Sequence, residues 1–267
     1  MKKAIYIVTI ILLLVAFGFS AFQVVNYIVE SKAQAETFDE LSQIRQEAKE
    51  NATASTEASI PEESQEETEP TGETEPQILP DYRELYEMNN DLVGWIRIEG
   101  TKVDYPVMQT PNAENFYLNR NFNKDESAHG CVYAREVCDI NEPSDNVTIY
   151  GHNMLDGSMF AALHQYDERE KWEENPLIFF DTLYEYHVYK IFAVFRTTAS
   201  IGEGFSYHQF VDATTEEEFN NFIATCKRLA SYDTGITPVY GDKIICLSTC
   251  EYTNVHGRLV VAAVRIS

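Results

Sequence analysis

Three patterns of apolar and polar positions divide this chain. From Ala4 to Val29 the residues are apolar except for Thr9, Ser20, Gln23 and Asn26, with Gly18 inside the run. As a helix this run reaches roughly 39 Å, enough to cross a hydrocarbon core of about 30 Å. Phe38, Leu41, Ile44 and Ala48 then recur at helical spacing and predict a short amphipathic helix over 36–50. From Asn51 to Gln77 the composition falls to Glu, Thr, Ser, Pro and Ala, with almost nothing to bury, which predicts a charge-extended, disordered tether. The expected organisation is an anchor over 1–30, an acidic tether over 31–77 and a globular domain over 78–267.

Within that domain the short-period patterns dominate. Asp81–Asn89 reads as a helix with Asp81 as its N-cap. Leu92–Met108 reads as two strands about a turn at Glu99–Gly100, followed by short strands over 130–137 and 146–150. The segment from Tyr186 to Phe195 is apolar on both alternating faces and predicts a strand covered from both sides. Thr215 and Glu218 form a capping box ahead of Phe219, Phe222, Ile223, Cys226 and Leu229, whose spacing predicts a helix with Cys226 on its buried face. The chain then closes with a β-branched run over 242–250, a polar loop over 251–257 and a second run over 258–266, a strand–loop–strand unit. Many short strands with few helices predict a mostly β barrel or sandwich with helical additions.

Charge narrows the partners. The net charge is -23, and residues 36–77 alone hold 13 acidic and 2 basic side chains. Phosphate recognition needs clustered Lys and Arg, so nucleic acid is excluded as a partner. Lys2 and Lys3 ahead of the apolar run place the N-terminus in the cytoplasm and the rest of the chain outside. Ala33-Gln34-Ala35 also fits a signal-peptide cleavage site, but the length of the apolar run favours an uncleaved anchor.

The five cysteines show no C-x-x-C and no regular spacing, so they do not form a disulfide framework. Cys246 and Cys250 on one strand lie roughly 13 Å apart, too far to pair. The Asp and Glu residues show no calcium-loop spacing, and neither a metal nor a cofactor is expected.

Candidate chemistry gathers in the terminal strands. Cys250 ends one strand and Arg258 begins the next, so a thiol and a guanidinium can face the same small volume. A neighbouring cation favours the thiolate, which is the nucleophile, and can later stabilise an oxyanion. The missing group is a base. His129, His164, His187 and His208 have no visible partner and read as surface or packing residues. His256 lies two residues before Arg258, and His152 follows a short strand and Gly151, where a side chain can project onto a shared rim. Both stand as candidates, with His152 favoured.

Tyr150-Gly-His-Asn-Met154, Asp156-Gly-Ser-Met-Phe160 and Leu247-Ser-Thr-Cys250 with Arg258 resemble the sortases, specifically class B; Val93–Ile98 and Thr101–Val107 match the entry to the same domain. The resemblance spans about residues 81–266. It implies an eight-stranded sortase-type β-barrel with an N-terminal helix and a helix inserted before the cysteine strand. It also implies a membrane-anchored cysteine transpeptidase outside a Gram-positive membrane. Such an enzyme cleaves a C-terminal sorting motif of secreted proteins, holds a thioacyl intermediate and passes it to a peptidoglycan-precursor amine. Carried onto this sequence, Cys250 is the nucleophile, His152 the acid and base, and Arg258 the oxyanion stabiliser. Ser248 and Thr249, with Leu247 and Asn153, are expected to line the sorting-signal groove. Class B members usually carry Thr where Cys246 stands, and a packing role is expected for this thiol. A hydrolytic cysteine protease, a non-catalytic adhesion module and a pilus-assembling sortase using a pilin lysine are the alternative readings.

Overall fold

The computed structural model describes residues 2–57, 76–200, 202–252 and 256–267. The chain divides into two units, Met1–Glu40 and Leu41–Ser267. Helix α1 runs without a break over Lys2–Glu57, and by length and composition it is apolar enough to cross a membrane. The sequence reading ends the anchor near residue 30 and begins a tether at 31, whereas the helix continues through Glu57. Residues 31–50 contain neither Gly nor Pro and are rich in Ala, Glu and Gln, so nothing local stops the helix. Residues 58–75 of the expected tether lie outside the described residues.

The second unit is a closed barrel. Its strands are β1 (Leu92–Arg97), β2 (Asp104–Met108), β3 (Val132–Ala134), β4 (Asn146–Tyr150), β5 (Leu177–Thr182), β6 (Val188–Thr198), β7 (Ile244–Glu251) and β8 (Gly257–Arg265), in the spatial order β1-β2-β3-β4-β7-β8-β6-β5. The β2–β3 and β4–β7 pairs are parallel and the others antiparallel. Closure leaves no open edge, and the expected mostly β fold is present. β5 is absent from the sequence reading because Leu-Ile-Phe-Phe is a continuous apolar run with no alternation. Also unforeseen are the 3-10 helix Phe160–Asp167, which buries Phe160, Leu163 and Tyr166, and α3 (Arg169–Glu174), which follows it.

Helix α2 (Pro80–Met88) begins one residue earlier than expected. Leu79 is the cap position, Pro80 fills the first turn and Asp81 lies inside the helix, buried. Proline there costs no hydrogen bond, because that amide has no intrahelical acceptor. In α4 (Glu216–Leu229) the Thr215 hydroxyl accepts from the Glu218 amide at 3.2 Å. The reciprocal bond goes one residue further back, from the Thr214 amide to Glu218 Oε2 at 3.0 Å. The apolar face of α4 covers one face of β6, β7 and β8. Phe219, Phe222, Ile223 and Cys226 pack with Phe192, Phe195, Cys246 and Val260, while Ile191 and Val194 of β6 are also fully buried. β6 is therefore covered on both sides. Cys246 packs beneath α4, and burial pushes its thiol well up in pKa, which fits the packing role.

The part of α1 that belongs to the second unit is tied to the barrel through Arg45. Its guanidinium lies 4.6 Å from the Trp95 ring centroid, 3.5 Å from Asp104 and 3.8 Å from Asp181, and donates to Tyr82 Oη at 3.4 Å. Tyr82 in turn donates to Asp181 at 2.7 Å. Removing the guanidinium takes from Asp181, whose pKa burial already raises, a cation that favours its charged form. Arg45→Ala is expected to cost about 2 kcal/mol, within the range for a partly desolvated ion pair with a cation–π contact. Chemical denaturation of the full chain at neutral pH measures this, and Arg45→Lys should recover only part, lacking the planar fork.

Candidate active site

The site is assembled by the register of three adjacent strands. β4 and β7 pair in parallel from Asn146↔Ile244 to Tyr150↔Ser248, and β7 and β8 pair so that Cys250 lies directly opposite Arg258. Past the end of β4 the Gly151 amide still donates to Ser248 O at 3.1 Å. The Thr249 hydroxyl donates to Gly151 O at 2.8 Å. Gly151 is required by space as well. A Cβ there would come within 2.6 Å of the Phe160 ring, so a larger residue would displace either the ring or the strand end. The next residue, His152, leaves the ladder and enters the cleft.

That cleft has a volume of about 390 Å³ and is lined by His152, Cys250 and Arg258 together with Ser248, Thr249, Tyr207, His208, Tyr133 and Arg135. His152 Nε2 lies 2.7 Å from Leu118 O. A carbonyl can only accept, so Nε2 carries the proton and Nδ1 is the nitrogen left to exchange one. Arg258 donates through Nη1 to Gly257 O at 3.0 Å and to His256 O at 3.4 Å. Among the described residues no carboxylate forms an ion pair with it, which leaves its charge available to an anion in the cleft.

Cys250 is half-buried while Cys131, Cys138, Cys226 and Cys246 are buried. Cys131 also borders the cleft, but burial raises its thiol pKa far above the usual range, which rules out an easily formed thiolate. The Tyr207 hydroxyl and Ser248 Oγ are 2.5 Å apart, and burial holds the Tyr207 phenol up to about 12. Tyr133 is pushed up further by burial and the nearby Glu136. Both phenols are therefore neutral at working pH. Among the described residues no group of three or more His, Cys, Asp or Glu side chains could hold a metal ion.

A family model described as a sortase domain matches residues 96–266. Sortase B of Listeria monocytogenes is 30% identical over 188 residues, covering 69% of this chain and 74% of that protein. Sortase B of Staphylococcus aureus is 28% identical over 188 residues, covering 70% and 75%. The chain belongs to the sortase family. Among solved structures, a Staphylococcus aureus sortase B–substrate complex superposes with a TM-score of 0.73 at 25% identity, covering 90% of this chain and 99% of that one. A sortase B-like protein of Bacillus anthracis gives 0.64 at 28% identity, covering 72% and 86%. This sortase is thus a cysteine transpeptidase of the sortase B type.

Of the groove residues expected from sequence, Ser248 and Thr249 line the cleft of this sortase, and Leu247 and Asn153 do not. Leu247 is fully buried and does not reach the cleft. Asn153 turns its amide to Cys250 O at 3.1 Å instead of to the cleft. The imidazole of His256 is not part of the cleft lining. That residue adopts a left-handed backbone with φ 56°, and its carbonyl accepts from the Ala199 amide. Tyr133, Arg135 and Tyr207 were not singled out from the sequence, and His208, read there as a surface or packing residue, also lines the cleft. They reach the cleft from β3, from the residue after it and from the 3-10 helix Tyr207–Gln209, and only barrel closure brings them there.

His208 and His187 share one electrostatic sign. Burial first, then Arg135 and Arg258, lowers the pKa of His208; burial and Arg265 lower that of His187. A folded pKa below the ordinary 6.5 means that the unfolded chain binds the proton more tightly. Their stability contribution is therefore complete above that value and is lost as pH falls through the window below it. Thermal midpoints recorded from pH 7.5 to pH 5 should fall less for the His187→Gln/His208→Gln double variant than for the wild-type sortase.

Proposed function

We propose that Cys250 is the nucleophile of this sortase, His152 its acid and base, and Arg258 the stabiliser of anionic intermediates. The substrate is the C-terminal sorting motif of secreted proteins and the acceptor is an amine of a peptidoglycan precursor. The observation that carries the reading is the strand register. It sets Cys250 across from Arg258, and His152 two residues beyond a rung shared with the cysteine strand. Chemistry then follows from the three side chains. With the Cys250 proton on His152 Nδ1, the thiolate sulfur attacks the scissile carbonyl carbon and its electron pair moves onto oxygen. Arg258 faces that oxygen with a planar cation that stays charged at any working pH. As the carbon–nitrogen bond breaks, His152 returns its proton to the departing amine, leaving a thioester on Cys250. An incoming amine loses a proton to His152, attacks the thioester and expels the thiolate.

Helix α1 supports attachment to the membrane, with Lys2 and Lys3 cytoplasmic and the barrel outside. The proposed organisation keeps residues 1–30 as the anchor and assigns the chemistry to the barrel.

The test uses the full chain in detergent with NPQTN-type and proline-and-TG-type peptides, with and without an added amine, and product masses as readout. Cys250→Ala should form no thioacyl adduct. His152→Ala should lose about 10³-fold or more in rate and Arg258→Ala about 10²- to 10³-fold, whereas His256→Ala should stay within several-fold of wild type. Ligated product that requires the amine supports transfer; hydrolysis unaffected by amine would make the chain a protease instead.

A further inference from the structure

Outside the cleft lining, Asn153, His164 and Cys250 O form a compact triangle. Asn153 Nδ2 lies 3.1 Å from Cys250 O and 3.0 Å from His164 Nε2, and His164 Nε2 lies 3.1 Å from the same carbonyl. The 3-10 helix Phe160–Asp167 supplies His164, whose Nδ1 stands 3.9 Å from Asp167 Oδ2. Asp167 is held in turn by Arg196 of β6 at 2.5 Å. The Tyr252 hydroxyl donates to Asn153 O at 3.2 Å.

The parallel ladder explains why this cluster lies here. Gly151 N donates to Ser248 O, and in a regular parallel pair the next rung would run from the amide two residues on, at position 153, to Cys250 O. The backbone has left the ladder by then, and a side-chain amide takes the place of the missing rung. Asn153 is covalently next to His152 and hydrogen-bonded to Cys250, so one short side chain fixes the spacing between the proposed base and the proposed nucleophile while His152 stays free to enter the cleft.

We infer that Asn153, supported by His164, is a positioning residue of the sortase reaction: its amide clamps the Cys250 carbonyl and thereby sets the thiol against His152. This inference rests on the assignment of Cys250 and His152 made above. Neither Asn153 nor His164 lines the cleft, and the clamp acts through the main chain of the cysteine. Displacement of a reacting atom by about 1 Å can cost on the order of 10²-fold in rate, so loss of the clamp should fall on turnover more than on binding.

The experiment compares wild type, Asn153→Ala, Asn153→Asp, His164→Ala, His164→Gln and Cys250→Ala as full chains in detergent. Asn153→Asp keeps the shape and removes the donor. The readouts are kcat and KM with an NPQTN-type peptide and an amine, the pH profile of iodoacetamide alkylation at Cys250, and the thermal midpoint. Both Asn153 variants should lose roughly 10- to 100-fold in kcat with KM within about 2-fold, and their alkylation profiles should move from wild type. His164→Gln should restore most of what His164→Ala loses. Wild-type kcat in Asn153→Asp overturns the inference, as does a kcat loss with an unmoved alkylation profile and a thermal midpoint lowered in proportion. If the Asn153 variants do not fold, the His164 pair decides: equal activity in His164→Ala and wild type overturns the inference. Turnover retained by Cys250→Ala would instead overturn the assignment of the nucleophile, a result distinct from failure of the clamp.

Discussion

One constraint governs this molecule: the register of β7 between a parallel neighbour, β4, and an antiparallel one, β8. Side chains alternate along a strand, so a slip of one residue would turn Cys250 away from the cleft and bring Leu247 and Thr249 into the positions of its same-face partners. The proposed chemistry needs Cys250 of β7, Arg258 of β8 and His152 from the segment that follows β4, and no single element holds them. What holds them is the ladder and the packing that stops it from sliding. The aromatic layer beneath α4 therefore helps fix the register on which the proposed site depends. Cys246 of β7 packs with Phe222 and Cys226 of α4, four residues before the proposed nucleophile on the same strand.

The same reasoning accounts for Cys246. A threonine is expected at that place by resemblance, and a thiol there suggests redox chemistry on paper. Full burial in an apolar layer instead makes it a filler of suitable volume, with its proton held firmly. Accessibility, more than the number of thiols in the chain, distinguishes Cys250 from the other four.

How much of this was legible in the sequence depended on how local each signal was. The terminal strand pair, the capped helix α4 and the Cys250–Arg258 pairing come from contiguous patterns, and all three are present. β5 was invisible because a continuous apolar run has no diagnostic period. The 3-10 helix Phe160–Asp167 went unseen because its turns are too short and irregular to set a helical spacing. His164 was read as a bland histidine for want of a partner in sequence, yet its neighbours are Asn153, eleven residues earlier, and Cys250, 86 residues later. Leu247 was placed in the groove by its nearness to Cys250 along the chain, and it is instead fully buried away from the cleft lining. Helix α1 shows a different limit. Its apolar run was plain, but its persistence to Glu57 depends on the absence of a breaker, a weaker signal than a cap.

The order of strands around the barrel also bears on how the molecule comes to life. β4 and β7 are hydrogen-bonded neighbours, yet 93 residues separate Tyr150 from Ile244, and β7 and β8 are the last two strands to be synthesised. A contact spanning so much intervening chain forms late, because loop-closure entropy opposes it until the rest is in place. The sulfur, the guanidinium and the barrel's final seam therefore arrive together. A chain halted before β7 therefore lacks the proposed nucleophile, its proposed cationic partner and the closing strands all at once.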